Sequence, residues 1–322
     1  MEVRQFADEC EVAQALIVRE AQTRVQDGSE CLKVVLGDRT GTVTAVIRDD
    51  LERARELCRA GRAVFVRGRY GTDDCFGHRL AVESVRVAGP AEYLRGDLVD
   101  GPSRTAEQME ADLRELLATV QNPHLRRLLG AVFGEGSPTW ARYRSAPAAK
   151  RYHQAYPHGL LEHCLTVAQA VSTISATFPG IDRDIAVTGA LLHDVGKLEA
   201  YEMRDGAISM SDEGRLYGEI PLGYYAVRRE IERLESFPDQ LAQAVLHIIL
   251  SHHGSLEHGS PVVPCTREAT LVHMIDNLGG RLGSFDRIER ELAAGEVWSG
   301  YDRVLGAGAY FAGRGLGDRA AA

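Results

Sequence analysis

The sequence predicts a multidomain chain in which a small β-barrel is followed by an all-α domain. Three observations carry this prediction. The length of 322 residues is that of about two domains. The first ninety residues are rich in short strand patterns, whereas apolar residues recur at helical spacing from about Thr105 onwards. The composition, with 44% hydrophobic and 26% charged residues, excludes collagen-like, disulfide-scaffold and wholly disordered classes.

Five β-rich segments, separated by Gly- and Asp-containing turns, fill the first ninety residues. A helix predicted over 50–60 stands between the third and the fourth segment. This order is that of an OB-fold, a small Greek-key barrel. The run LGDRTGTVTAVIRD over 36–49 also resembles the second and third strands of OB domains that bind nucleic acid, with the tight turn at DRTG. The predicted strands are 16–18, 31–36, 41–47, 63–69 and 79–87.

Basic and aromatic residues are interleaved along the later strands, a mixture that binds single-stranded nucleic acid through phosphate attraction and base stacking. Residues 16–90 hold 13 basic and 11 acidic residues, whereas the whole chain has a net charge of −9. The alternative is a barrel that serves packing or oligomerisation. The alternation leaves open whether Phe65 points inward or outward. The candidate nucleic-acid-binding residues of the barrel are Arg62, Phe65, Arg67, Arg69, Tyr70, Phe76 and Arg79.

A second basic stretch with interleaved aromatic residues contains Arg142, Arg144, Lys150 and Arg151. We interpret it either as a guide for a nucleic-acid strand, with Arg144 and Lys150 as contacts, or as an ordinary solvated face.

The histidines are concentrated in one part of the chain, because nine of the 11 lie between positions 153 and 273. His193 and Asp194 are adjacent within the apolar helical segment ALLHDVGKL. Polar ligand types among apolar walls are costly to bury unless something pairs with them, and a divalent metal is the simplest partner. Imidazole with carboxylate suits Mn, Fe, Co, Ni or Zn better than Ca. The alternative is a set of satisfied core histidines with a capping aspartate.

Four segments that contain these residues resemble the HD superfamily of metal-dependent phosphohydrolases, whose ligands follow the order H…HD…D on separate helices. The segments are GLLEHCLTVAQ, LLHDVGKLEAY, LSHHGS and LVHMIDNLGGRL. The resemblance implies that His163, His193, Asp194 and Asp276 are metal ligands, with Asp194 as the bridge if two ions bind. We expect Glu162, next to His163, to orient that ligand.

With the barrel in front of it, the chain is similar more narrowly to bacterial YhaM-type 3′–5′ exoribonucleases. This resemblance implies that His252 and His253 belong to a second metal site. Two departures stand out: Glu219 occupies a position where the family has histidine, and Gln154 follows His153 where paired histidines are usual. Glu219 is expected to substitute as an oxygen ligand, which leaves it open whether one or two ions bind. The resemblance also implies that Lys197 contacts phosphate, so the expected catalytic residues are His193, Asp194 and Lys197.

The organisation expected from these motifs has four parts. An OB-fold nucleic-acid-binding domain covers 1–92, a linker and helical segment 93–135, an HD phosphohydrolase domain 136–290, and a tail of unknown role 291–322. The expected cofactor is a divalent metal, Mn²⁺ first, with Co²⁺, Fe²⁺, Ni²⁺, Mg²⁺ or Zn²⁺ as alternatives.

The function expected on these grounds is metal-dependent 3′–5′ exonuclease cleavage of single-stranded RNA, with single-stranded DNA as a further substrate. The alternatives are an HD phosphohydrolase acting on a small nucleotide and a non-catalytic nucleic-acid-binding protein with a vestigial metal site. The resemblance implies a homo-oligomer. Six dispersed cysteines without a CxxC pair and an N-terminus without an apolar signal segment favour the cytoplasm. No apolar run approaches the ~20 residues that span a bilayer, so no membrane partner is expected.

Overall fold

A computed structural model describes residues 1–26, 29–73, 77–98, 101–102, 104–150, 154–204, 207–292 and 296–312. Phe76, Arg151 and His153 lie outside these described residues. The chain divides into two compact units. The barrel unit comprises Met1–Asp100, Arg204–Ala207 and Phe285–Ala322, and the helical unit comprises Gly101–Met203 and Ile208–Ser284.

The barrel unit contains a closed barrel of five strands in the order β1-β2-β3-β5-β4. All of its pairs are antiparallel except β3 with β5, which is parallel. Helix α1 connects β3 to β4, so the predicted OB-type architecture is confirmed. The elements are β1 (Cys10–Gln26), β2 (Ser29–Asp38), β3 (Gly41–Ile47), α1 (Leu51–Leu57), β4 (Ala63–Asp73), β5 (Gly77–Val87) and the short helix α2 (Arg95–Leu98).

Strand β1 is much longer than the three residues predicted for it. Its pairing with β2 runs from Ile17 to Gln26, with a register shift between Val18 and Glu20. Residues 22–25 are exposed, so this end of the strand lacks the inward apolar residues that a sequence pattern needs.

The barrel interior is filled by alternate apolar residues of every strand, such as Leu16, Val34, Ala45 and Val66. Gly68 faces β5 so closely that a Cβ there would lie 2.1 Å from the carbonyl oxygen of Ala81. The tight turn predicted at DRTG joins β2 to β3. Its Asp38 carboxylate is buried and accepts hydrogen bonds from the backbone N–H groups of Val3, Thr40 and Gly41 and from the Thr40 hydroxyl.

The helical unit is built around one apolar core to which its main helices contribute. Two short hairpins contain strands that the sequence pattern did not predict: β6–β7, and β8–β9, which belongs to the barrel unit. In the part of the chain that the structure describes, no helix is long and apolar enough to cross a membrane. The remaining elements are α3 (Ala106–Ala118), α4 (Pro123–Phe133), α5 (Pro138–Ser145), α6 (Gly159–Ser175), α7 (Arg183–Leu192), α8 (Lys197–Ala200), β6 (Tyr201–Arg204), β7 (Ala207–Met210), α9 (Asp212–Tyr217), α10 (Glu219–Arg233), α11 (Asp239–Ser251), α12 (Arg267–Glu291), β8 (Trp298–Asp302) and β9 (Ala307–Tyr310).

Candidate metal centre

The histidine and carboxylate residues singled out by the motifs meet inside the helical unit. His163 lies in the second turn of α6, and His193 and Asp194 directly follow α7. Asp276 lies within α12. Glu219 begins α10, while His252 and His253 directly follow α11. Five elements that are distant in sequence therefore contribute to one buried centre.

His163, His193 and Asp276 form what we call the first cluster, whose candidate ligand atoms lie within 4.8 Å of one another. His163 Nε2 is 3.2 Å from His193 Nε2 and 3.1 Å from Asp276 Oδ1. Asp194 Oδ2 adjoins this cluster, at 3.1 Å from His163 Nε2 and 3.3 Å from His193 Nε2. The cluster thus offers imidazole nitrogens and carboxylate oxygens to one point.

Glu219, His252 and His253 form the second cluster, again with candidate ligand atoms within 4.8 Å of one another. Glu219 Oε1 lies 3.8 Å from His252 Nε2 and 3.6 Å from His253 Nε2. The other oxygen of Asp194, Oδ1, is 3.5 Å from His252 Nε2. Asp194 therefore stands between the two clusters and presents one carboxylate oxygen to each.

Three buried polar atoms at this centre, Asp194 Oδ1, Glu219 Oε2 and His252 Nε2, make no hydrogen bond with any residue that the structure describes. Such groups cost folding free energy unless another partner satisfies them. A mixed set of imidazole nitrogens and carboxylate oxygens is also the donor set that divalent transition metals prefer. The residues present therefore fit a divalent cation at either cluster.

The histidine rings are turned so that Nε2 faces the centre and Nδ1 faces a hydrogen-bond acceptor. His193 Nδ1 is 2.7 Å from the carbonyl oxygen of Ala190, and His252 Nδ1 is 2.8 Å from that of Ile249. Both acceptors belong to the last turn of a helix, where carbonyl groups have no partner within the helix. An acceptor at Nδ1 places the proton there and leaves the Nε2 lone pair for a metal. His253 Nδ1 likewise meets the carbonyl oxygen of His258, at 2.8 Å.

The pKa values of the centre are shifted by burial and by the charges of neighbouring side chains. Burial lowers the pKa of His163, but hydrogen bonds with Asp194 and Asp276 outweigh it and raise the pKa to about 9. Burial likewise lowers the pKa of His252, yet the neighbouring Asp194 and Glu219 raise it to about 9. Protons on these imidazoles balance the carboxylates when no cation is bound, so a cation would compete with them.

Burial raises the pKa of Glu219 to about 7, although the nearby His252 lowers it. Burial, followed by the charge of His252, lowers the pKa of His253 to about 4. His253 is therefore ready to bind a cation as a neutral imidazole at neutral pH.

Lys197 lies one helical turn after Asp194, and its Nζ is 2.6 Å from Asp194 Oδ2. Burial alone would lower the pKa of Lys197, but Asp194 and Glu219 raise it above its usual value. The ammonium group is thus held charged beside the centre.

Gly196 explains how the second cluster is assembled next to the His193–Asp194 pair. A Cβ at this position would lie 2.0 Å from the carbonyl oxygen of Glu219 and 2.4 Å from the backbone nitrogen of Gly223. Only glycine lets the start of α10 approach this closely, and Glu219 enters the centre as a consequence.

The barrel residues proposed to contact nucleic acid lie along β4 and its neighbours. Phe65, Arg67 and Arg69 alternate with the buried Val64, Val66 and Gly68, so they face outward. The ring of Phe65 packs in a small apolar cluster outside the barrel, with Arg86 4.4 Å above it. Its outward direction settles the question that the alternation left open.

The other candidate nucleic-acid-binding residues of the barrel differ in their exposure and in their contacts within the protein. Arg67 is exposed, and Arg69 is exposed beside Glu9 at 3.1 Å. Arg62 donates to the carbonyl oxygen of Glu56. Tyr70 is half-buried, with its ring stacked on His78, and Arg79 is half-buried as well.

The described residues of the basic stretch in the helical unit differ in their contacts. Arg144 is paired with Glu107 at 2.8 Å and with Glu110 at 3.0 Å, so its guanidinium group already has acidic partners within the protein. Lys150 is exposed.

The comparison with known proteins agrees with the geometry. Residues 160–280, which contain both clusters, match the HD domain family. This segment is an HD domain. The chain is 27% identical over 277 residues to the 3′-5′ exoribonuclease YhaM of Geobacillus sp. (strain WCH70), covering 84% of this chain and 82% of the relative. It is 26% identical over 285 residues to the 3′-5′ exoribonuclease YhaM of Oceanobacillus iheyensis, covering 87% of each chain. The resemblance inferred from the motifs is therefore confirmed.

The sequence motifs assigned no role to Gln154, which contacts a candidate ligand of the HD domain centre. Glu162, expected to orient His163, accepts hydrogen bonds from the Gln154 amide and the Tyr156 hydroxyl. Gln154 is the residue whose side chain meets His163 Nδ1, with its Oε1 at 3.1 Å. The only sequence signal was that Gln154 stands where the resembled enzymes tend to carry a histidine.

Proposed function

We propose that this protein is a metal-dependent exonuclease that shortens single-stranded RNA from its 3′ end, with the HD domain as the site of hydrolysis. The observation that carries the proposal is the position of Asp194, which presents one oxygen to each of two ligand clusters. The similarity to two 3′-5′ exoribonucleases over more than four-fifths of the chain supports the substrate and the direction.

The chain's own residues have separate tasks in this proposal. His163, His193, Asp276 and Asp194 would hold one divalent cation, and Glu219, His252 and His253, together with Asp194, a second. Such cations supply a water of lowered pKa and polarise the phosphate. Lys197, held charged by its carboxylate neighbours, would pair with a phosphate oxygen. We propose Mn²⁺ as the cation, because the donor set mixes nitrogen and oxygen ligands.

The barrel unit is proposed to bind the RNA strand, and to accept single-stranded DNA as well. The exposed guanidinium groups of Arg67 and Arg69 on the outer face of β4 support this role. Replacing both by alanine is expected to weaken RNA binding and to reduce the dependence of log K on log salt by about 1 for each lost phosphate contact. Arg228→Ala, at a surface residue of the helical unit paired with Glu232, is the matched control.

The test of the proposed activity uses one RNA sequence in a 5′-labelled linear form and in a circular form. With Mn²⁺ the linear RNA should give a ladder that shortens from the 3′ end, while the circle stays intact. EDTA or Asp194→Ala should abolish the ladder. Cleavage of the circle would mean an endonuclease. Failure to cut RNA or DNA with any of several metals would overturn the proposal in favour of a hydrolase of small nucleotides.

We also propose that the chain forms homo-oligomers in the cytoplasm. Within the helical unit, α12 exposes Met274, Leu278 and Leu282, which recur every four residues on one side of the helix. Light scattering after size-exclusion chromatography should give a mass above that of one 35.2 kDa chain. A monomer at micromolar concentration would contradict this part of the proposal.

A further inference from the structure

A buried chain of side-chain hydrogen bonds lies behind His163, on the side away from the ligand clusters. Gln154 and Glu162 are only 6% and 8% exposed. His163 Nδ1 is 3.1 Å from Gln154 Oε1, and Gln154 Nε2 is 3.2 Å from Glu162 Oε2. The Tyr156 hydroxyl donates to the same carboxylate oxygen. Two side chains, Glu162 and Gln154, therefore connect Tyr156 to His163 through hydrogen bonds.

The polarity of this chain of hydrogen bonds follows from Glu162. The NH₂ group of Gln154 is the side-chain group that donates to the Glu162 carboxylate. The amide oxygen of Gln154 must then face His163, and Nδ1 of His163 must carry a hydrogen to donate to it. Nε2 is consequently the atom turned towards Asp194 and Asp276, at 3.1 Å from each.

His163 needs such a side-chain partner because of its position in the helix. His193 and His252 lie at helix ends and use the carbonyl groups of Ala190 and Ile249, which the helices leave unpaired. His163 lies inside α6, where the carbonyl groups are used by the helix itself. Its orientation therefore depends on Gln154.

We propose that Gln154 and Glu162 form a positioning relay that sets the tautomer and ring direction of His163 and thereby the cation affinity of the first cluster. This inference rests on the proposed function only in so far as it assumes a cation at that cluster. Gln154 and Glu162 act through His163 and are positioning residues. Removing a hydrogen-bond partner of a metal-ligating histidine typically weakens metal binding by about 10–100-fold.

The variants separate the relay from a merely structural role. Gln154→Met keeps the length of the side chain but removes the acceptor for His163. Glu162→Leu removes the group that fixes the amide of Gln154, whereas Glu162→Gln retains an oxygen acceptor there. Ser175→Ala, at a buried and hydrogen-bonded residue of the same helix, is the matched control.

The experiment measures Mn²⁺ affinity of the full chain by calorimetry, and the absorption bands of the Co²⁺-loaded protein as a signature of ligand geometry. Thermal unfolding in EDTA shows that each variant is folded. Gln154→Met should weaken one binding event by about 10–100-fold and alter the Co²⁺ bands. Glu162→Leu should act in the same direction, the double variant should be no weaker than Gln154→Met alone, and Glu162→Gln and Ser175→Ala should stay near the wild-type affinity.

Wild-type affinity in Gln154→Met, or additive losses in the double variant, would overturn the relay. If Gln154→Met does not fold, Tyr156→Phe removes only the hydroxyl that donates to Glu162. It should then give a smaller loss of affinity, and an unchanged affinity would overturn the relay. Because the readout is cation binding, failure of the exonuclease proposal is separate: a wild-type protein that binds Mn²⁺ but leaves RNA intact would overturn that proposal alone.

Discussion

Replacing Gly196 by alanine tests how the second cluster is assembled. The added Cβ would lie 2.0 Å from the carbonyl oxygen of Glu219 and 2.4 Å from the backbone nitrogen of Gly223. Both atoms are backbone, so relief requires the start of α10 to move by about 1 Å or more. Overpacking of this kind costs about 1–3 kcal/mol of unfolding free energy, and occasionally more. The displacement changes the position of Glu219 relative to His252 and His253.

Two measurements follow from this geometry. Thermal unfolding in EDTA should show a midpoint lowered by about 2–4 °C for each kcal/mol lost. Mn²⁺ titration should show the second binding event weakened more than the first, because Glu219 belongs to the second cluster only. A variant as stable as the wild type, with both binding events intact, would show that α10 accommodates the added methyl group without moving Glu219.

Gly130→Ala is the matched control for Gly196→Ala. Gly130 is exposed within α4, and a Cβ there would meet nothing within 4 Å. Alanine at an exposed helical position should therefore raise the unfolding free energy by up to about 1 kcal/mol. A loss of stability in this control would show that alanine can destabilise this protein without a backbone clash, and the effect at Gly196 could then not be attributed to the clash alone.

Three further predictions concern protons, the barrel and the cation. The pKa values of His163 and His252 are raised to about 9, above the ordinary 6.5, so they stabilise the cation-free protein fully below about pH 6.5, and this contribution is lost as the pH rises through 9. The thermal unfolding midpoint in EDTA should therefore decrease as the pH is raised from 7 to 9. The affinity for Mn²⁺ should increase over the same range, because the competing protons leave. A constant affinity over that range would contradict the assignment. Asp38→Ala should lower the unfolding free energy of the barrel unit by about 2–4 kcal/mol, because buried donors lose their acceptor; denaturant unfolding followed by circular dichroism checks this, and a loss below 0.5 kcal/mol would contradict it. Adding a cation at a hundred times its Kd should raise the unfolding free energy by about 2.7 kcal/mol, and an unfolding midpoint unchanged by EDTA would exclude tight binding.

The sequence predicted the architecture well where one pattern controls one element. Strand alternation, the helix between β3 and β4 and the turn at Asp38 identified the barrel. It failed at the exposed end of β1, which has no inward apolar residue, and at the hairpin β6–β7, whose strands of four residues are too short to show an alternation. The exposed end of β1 is held by backbone pairing with β2, a contact that residue type alone does not encode.

At the site, the sequence could give the order of the candidate ligands but not their supporting contacts. The HD motif named His163, His193, Asp194 and Asp276 from local patterns. The sequence marked Gln154 only as a departure from the family, and its contact with His163 is seen only in the structure, because a glutamine nine residues before a histidine has no periodic signature. Arg144 illustrates the reverse case, since its partners Glu107 and Glu110 come from a helix more than thirty residues away.

In the proposed function, Asp194 joins two cation sites within the HD domain. The most direct test is an anomalous difference map from crystals of the protein grown with Mn²⁺. We expect two peaks, one among His163, His193 and Asp276 and the other among Glu219, His252 and His253, with Asp194 next to both. A map without a peak at these residues, or with its peaks elsewhere in the chain, would contradict this expectation.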